Sequence, residues 1–158
     1  MPVSLYEISI PVFIRSLTNL AAILKKGEAY ADEKGIPHSK ILESRLMDDM
    51  ANLVYQIQRS SDTSKSVAVR VAGTEPVAMA DTEKTFEDLQ ARIQKTIEVL
   101  QAVDPTSMDG KEESPVVLKT GSGEFTFTAT NYLLNFALPN FFFHVVTAYD
   151  ILVSSSTS

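Results

Sequence analysis

The stretch Leu138-Pro139-Asn140-Phe141-Phe142-Phe143-His144-Val145-Val146-Thr147-Ala148-Tyr149 decides how the chain is read. Its wider neighbourhood, Tyr132 to Val153, is long enough to span a bilayer. Six residues interrupt it: Asn135, Pro139, Asn140, His144, Thr147 and Asp150. Those interruptions favour a helix inside a protein over a membrane span. Thr130 can cap that helix, Pro139 should kink it, and it should run to about Val153. Because it is apolar nearly all round, it is expected to be the most buried element.

A helix of this kind needs partners, and three upstream segments supply them. Ser4-Leu5-Tyr6-Glu7 fits a capping box, followed by Leu17, Leu20 and Leu24 at helical spacing. Pro11 implies a kink there or a true helix start, and the pattern fades near Gly35. The second segment opens near Pro37 and carries Leu42, Leu46, Met50, Leu53 and Ile57 as an apolar stripe. It reads as one long helix to about Ala72, stopped by Gly73. The third begins with Asp81 or Thr82 as cap and carries Phe86, Leu89, Ile93, Ile97 and Leu100. Asp88 and Arg92 are spaced as an i,i+4 pair on its outer face. Pro105 lies just beyond its end, Asp104 to Ser114 is a polar connection, and the period then changes to two. Val116–Lys119 and Glu124–Thr128 flank Gly121-Ser122-Gly123, as in a short β-hairpin.

The expected fold class is therefore all-α: an antiparallel four-helix bundle with a short β-hairpin between helices 3 and 4. Residues 1–153 form one domain, with no internal repeat or linker. The serine-rich tail 154–158 has nothing to bury and is expected to be disordered.

Composition removes whole classes of function. The chain has 158 residues, a formal net charge of −6, two histidines and no cysteine. Disulfides, thiolate metal sites and a cysteine nucleophile are impossible, and so is a three-histidine metal site. The acidic balance argues against nucleic acid as a partner, which calls for a basic face. The first residues lack a basic segment leading into an apolar one, so the expected location is cytoplasmic, without a membrane partner. There is no GxGxxG, P-loop or HExxH pattern.

Bundles place ligand sites in their cores, so polar residues on apolar faces carry the functional argument. His144 is the main one, with Asn140 at i−4 and Thr147 at i+3 on its face. Histidine titrates near neutral pH, so a pocket histidine is a natural acid or base. The competing reading is a core histidine bonded for packing specificity. Asp49 lies beside the expected core face of the second helix, with Arg45 at i−4 and Gln56 two turns on. An Asp near His144 could fix its tautomer. The competing reading there is an Arg45–Asp49 helix pair. His38 follows Pro37 at an expected exposed helix start, and Tyr6 and Tyr149 are further pocket donors.

Several segments together resemble one family. They are Ser4-Leu5-Tyr6, Arg45-Leu46-Met47-Asp48-Asp49-Met50 with Gln56, Ala72-Gly73 before Asp81–Leu89, and Leu138–His144 with Thr147-Ala148-Tyr149 and Ile151-Leu152. Their order and spacing are similar to the family of domain of unknown function nineteen-ninety-three, in the DinB-like superfamily of four-helix bundles. The resemblance spans about Ser4 to Leu152. It implies a DinB-like bundle, often dimeric, whose better-understood relatives use three histidines to bind a metal and in some cases transfer thiols. His144 matches the start of the superfamily's last-helix histidine motif. Here, however, i+4 is Ala148, and the second-helix ligand position falls around Asp49. Members of the family commonly continue past the last helix with a basic, Gly-containing segment, whereas here the residues after it are a serine-rich tail.

Three functions are weighed from this reading. The first is a metal-independent, cofactor-independent enzyme acting on a small hydrophobic organic molecule, of isomerase, dehydratase or cyclase type. His144 and Asp49 would be catalytic. Tyr6, Arg45, Gln56, Asn140, Phe141 and Thr147 would hold the substrate. The second is a DinB-type metal-dependent thiol transferase. The third is a non-catalytic small-molecule-binding or dimeric scaffold. A homodimer is expected throughout.

Overall fold

A computed structural model describes residues 3–155. The N-terminal capping box forms as expected: Glu7 N donates to Ser4 Oγ at 3.1 Å, and Ser4 N to Glu7 Oε2 at 3.0 Å. It organises a preceding turn, however, and helix α1 (Ile10–Lys34) starts beside Pro11. Gly35 ends α1 in the left-handed conformation, with φ 64°. Along α1, Phe13, Leu17, Leu20 and Leu24 are fully buried.

The second segment departs from the single long helix expected. A five-residue helix α2 (His38–Leu42) stops, a loop runs to Asn52, and α3 (Leu53–Val67) begins afresh. Asn52 is the reason: its side chain accepts from Tyr55 N at 3.0 Å, satisfying a donor at the new helix start. Ser44 O accepts from Leu53 N at 3.0 Å and closes the loop. Leu46, expected on the apolar stripe, is exposed in that loop. Along α3, Ser60 and Ser64 return their hydroxyls to carbonyls of the preceding turn, so these weak helix formers stay buried and satisfied. A wide π turn (Ala68–Ala72) extends α3 to Gly73, where φ is 82° and the helix stops as expected.

Residues 74–85 cross the molecule without regular structure. Helix α4 (Phe86–Gln101) is capped by Thr85 rather than by Asp81 or Thr82. Thr85 Oγ1 accepts from Asp88 N, and Asp88 Oδ2 accepts from Thr85 N, both at 3.0 Å. Asp81 is unavailable as a cap because guanidinium groups hold its carboxylate. All five stripe residues of α4 are buried.

Strands β1 (Pro115–Thr120) and β2 (Gly123–Thr128) pair antiparallel through a two-residue turn at Gly121-Ser122, with Val116 opposite Phe127. The last helical stretch is capped by Thr128, not Thr130. It comprises α5 (Ala129–Tyr132), a wide π turn (Leu133–Ala137) and α6 (Leu138–Ser155). The widened turn precedes Pro139, which has no N–H to donate and whose ring crowds the carbonyl of Asn135 in a regular helix. Ser154 and Ser155 of the expected disordered tail continue α6, and the rest of that tail lies outside the described residues.

The fold is thus mostly helical with a small two-stranded antiparallel sheet. Helix α3 packs against α6 and α4, and α1 packs against α4 and α6, enclosing one core. Gly27 lets α1 and α6 approach closely, since a Cβ there would meet Leu152 Cδ2 at 2.8 Å. Helix α6 is not the most buried element. It buries Phe141, Ala148, Ile151 and Leu152 but leaves Phe142, Phe143, Val146, Tyr149 and Val153 exposed. Its apolarity serves two faces, only one of which is covered. By length and composition the stretch Ala129–Ser155 could also cross a membrane.

Candidate functional site

His144 lies half-buried where α6 packs on α3. Its Nδ1 is 2.7 Å from Gln56 Oε1. Gln56 is buried on the first turn of α3, and its Nε2 donates to Ala51 O at 3.1 Å, just before the Asn52 cap. The break between α2 and α3 therefore supplies the carbonyl that anchors this amide. The Tyr55 ring stands edge-on to the imidazole at 6.2 Å, and the Phe143 ring at 5.2 Å. Arg59 stacks on the other partner of this wall, 5.3 Å from the Tyr55 ring centre.

The electrostatics favour a neutral ring. Burial lowers the pKa of His144 below the ordinary histidine value, and the positive charge of Arg59 lowers it further. Among the described residues no carboxylate adds an opposing charge. Asp49, expected to orient His144, is exposed in the loop before α3 and makes no side-chain hydrogen bond or ion pair among the described residues. The helical spacing that placed it on the core face ends at Leu42. Arg45, in the same loop, donates to Met50 O at 2.6 Å instead of pairing with Asp49.

The remaining expected residues disperse. Asn140 donates to Thr63 Oγ1 at 3.0 Å, tying α6 to α3 one turn from His144. Thr147 is buried on α6. Phe141 is a core residue, fully buried with its ring edge-on to Phe13 at 4.7 Å. Tyr6 lines a cleft of about 640 Å³ with Glu7, Asp109 and Glu112, and Tyr149 lines the α1–α6 groove. His38 is bonded to Asp32 Oδ1 at 2.7 Å and rests edge-on to Phe86.

A second polar assembly escaped the sequence reading. Arg92 was expected on the outer face of α4 beside Asp88, but its side chain is only 1% exposed. It bonds Asp62 Oδ1 at 2.8 Å, Asp81 Oδ1 at 2.9 Å and Glu83 Oε1 at 2.9 Å. Arg59 joins Asp62 and Asp81, Lys65 joins Asp62, and Gln58 joins Glu83. Asp88 is occupied by the Thr85 cap. Burial raises the Glu83 carboxyl, but the hydrogen bonds from Gln58 and Arg92 outweigh it and leave a lowered pKa. Arg59, Asp62 and Lys65, spaced 3 and 3 along α3, were the available signal for a charged face here.

These features define a mostly helical protein with a small two-stranded sheet and a half-buried histidine at the contact of two long helices. The chain belongs to the family of domain of unknown function DUF1993, whose family model matches residues 5–155. It is also similar to the crystal structure of a DinB family member protein from Shewanella denitrificans. The two share 31% identity with a TM-score of 0.88, over 96% of this chain and 85% of that one. Comparison with curated proteins finds no match.

The DinB resemblance implies a metal, and the donor set here does not fit one. Among the described residues no three His, Asp or Glu side chains gather into a metal-holding group. His144 meets a neutral amide at one nitrogen, and the carboxylate expected beside it sits in an exposed loop. His38 is committed to Asp32 near Phe86.

Proposed function

We propose that this chain is a DinB-like four-helix bundle, with α1, α3, α4 and α6 as its helices and the hairpin in its third connection. On this reading it is a metal-independent enzyme acting on a small hydrophobic organic molecule, with His144 as general base. Isomerisation, dehydration or cyclisation suits such a residue, since each needs a proton moved beside an apolar wall. The observation that carries the reading is a half-buried imidazole kept neutral by burial and by Arg59, between the rings of Tyr55 and Phe143. A neutral imidazole can take a proton at neutral pH, whereas an imidazolium cannot. Asp49 has no part in it; Gln56 occupies the orienting position. The test is turnover of a panel of enolisable hydrophobic compounds by wild type and by His144→Ala. The reading requires an activity that His144→Ala loses while its helical circular dichroism is unchanged. Equal turnover by the variant would overturn it.

The exposed stripe of α6 favours a second reading, a homodimer joined through that face. Phe142, Val146, Tyr149 and Val153 recur at spacings of 4, 3 and 4 on the side of α6 away from α3. Ser16, Asn19 and Ile23 of α1 continue the surface into a shallow groove with Phe142, Val146 and Tyr149. A row of large apolar side chains is costly to leave in water, and a second copy would cover it. The two readings are compatible, because His144 faces α3 rather than this groove.

A further inference from the structure

We propose that Gln56 is a positioning residue that holds His144 as the Nδ1–H tautomer, leaving Nε2 as the unprotonated nitrogen that meets a ligand. The proposal deepens the reading of His144 as a base and rests on it only for the ligand. An amide offers one acceptor and one donor end, so fixing one end fixes the other. The Nε2 of Gln56 is committed to the Ala51 carbonyl at 3.1 Å, a group that can only accept. Its Oε1 therefore faces Nδ1 of His144 at 2.7 Å, and a carbonyl oxygen can only accept. The proton must lie on Nδ1. In a neutral ring this leaves Nε2 with a bare lone pair.

Three features hold the arrangement. Gln56 is 2% exposed, so water does not compete for its oxygen. Ala51 immediately precedes the Asn52 cap, so the first turn of α3 positions both the anchor carbonyl and the amide. No described residue donates to His144 Nε2. An imidazole free in water favours the opposite tautomer, with the proton on Nε2. Gln56 thus reverses the intrinsic preference and sets the direction of transfer. A ligand proton can be received at Nε2 only if that nitrogen is bare.

The experiment is two-dimensional long-range ¹H–¹⁵N spectroscopy of the uniformly labelled full chain, at a pH well above the imidazole range. With two histidines, His38→Asn assigns both rings. The expected wild-type result is a pyrrole-type Nδ1 and a pyridine-type Nε2 for His144. In Gln56→Ala the two nitrogens should move toward the Nε2–H pattern or average together. In Gln56→Glu, where a carboxylate can still accept, the Nδ1–H pattern should persist. An Nε2–H tautomer in wild type, or an unchanged pattern in Gln56→Ala, would overturn the proposal. If Gln56→Ala fails to fold, the wild-type and Gln56→Glu spectra decide it alone, since loss of the Nδ1–H pattern in either overturns it. The proposed enzymatic role fails separately: the tautomer can be as stated while His144→Ala keeps full turnover.

Discussion

The guanidinium of Arg92 on α4 lies 2.8 Å from the carboxylate of Asp62 on α3, and the Arg92 side chain is almost completely enclosed. This pair is the hub on which residues 74–85 are fastened, because the same guanidinium also holds Asp81, Glu83 and the Ala80 carbonyl. Arg92→Met should leave Asp62 and Asp81 facing only Arg59 and Lys65, and Glu83 facing only the Gln58 amide. A fully buried pair broken on one side costs roughly 3–5 kcal/mol. Asp62 and Asp81 keep 31% and 47% of their side-chain exposure, so water recovers part of that. The expected loss is about 2–3 kcal/mol in urea unfolding. Asp81→Asn, at the wet edge of the cluster, should cost under about 1 kcal/mol. Equal effects for the two variants would mean that Arg92 is not the hub.

The contrast between Arg92 and Asp88 shows what periodicity can and cannot convey. Apolar stripes placed α1, α3 and α4 because burial of Leu17, Ile57 or Ile93 follows from spacing alone. The partner of Arg92 depends on Asp62, thirty residues away, and on an irregular crossing that no period describes. The site divides the same way. The place of His144 inside the fold was legible from the apolar run around it, and that of Gln56 from its position two turns beyond Asp49. Asp49 was misplaced because a long apolar stripe was read through Asn52, whose capping side chain restarts the helix. Phe141 lies in the core, which an all-apolar helix does not disclose because its sequence does not say which face is covered.

The misplacement of Asp49 can be measured directly. Its carboxylate is exposed and unbonded, so Asp49→Asn should change unfolding stability by less than about 0.5 kcal/mol. It should also leave any His144-dependent turnover as in wild type. Gln56→Ala removes the amide that faces His144 and should reduce such turnover at least tenfold. An Asp49→Asn variant as impaired as Gln56→Ala would return Asp49 to the site.

Acid should destabilise the fold in two stages. The folded pKa of His144 is lowered, by burial first and then by Arg59. Between its folded value and its unfolded value of about 6.5, the unfolded chain binds the extra proton. Stability from His144 is therefore fully present above about pH 6.5 and declines as pH falls through the folded value. Glu83 is also lowered, its hydrogen bonds from Gln58 and Arg92 outweighing burial, and so is Asp88 by the backbone N–H of Lys84. Their contributions are present above about pH 4 and vanish below it. Urea midpoints measured across pH should decline first near the histidine range and again in the carboxylate range. His144→Asn should abolish the first decline and leave the second. A first decline that survives in this variant would assign it to another group.

The exposed stripe of α6 leads to a prediction about assembly. Phe142, Val146, Tyr149 and Val153 project from one side of the helix, while Phe141, Ala148 and Ile151 fill the core on the other. The stripe has the 4, 3, 4 spacing of a helix seam, and such a seam is satisfied by a like helix. A two-fold axis would set two copies of α6 against each other with Val146 near the centre. Sedimentation equilibrium should then report twice the monomer mass. Val146→Glu would place two carboxylates together at the centre of that contact, where like charges out of water repel strongly. Because Val146 is 52% exposed in one chain, the substitution should leave the monomer fold intact. The expected outcome is a folded monomer by sedimentation, with unchanged helical circular dichroism. A wild-type protein that sediments as a monomer up to high concentration would show that the stripe does not pair copies of this chain.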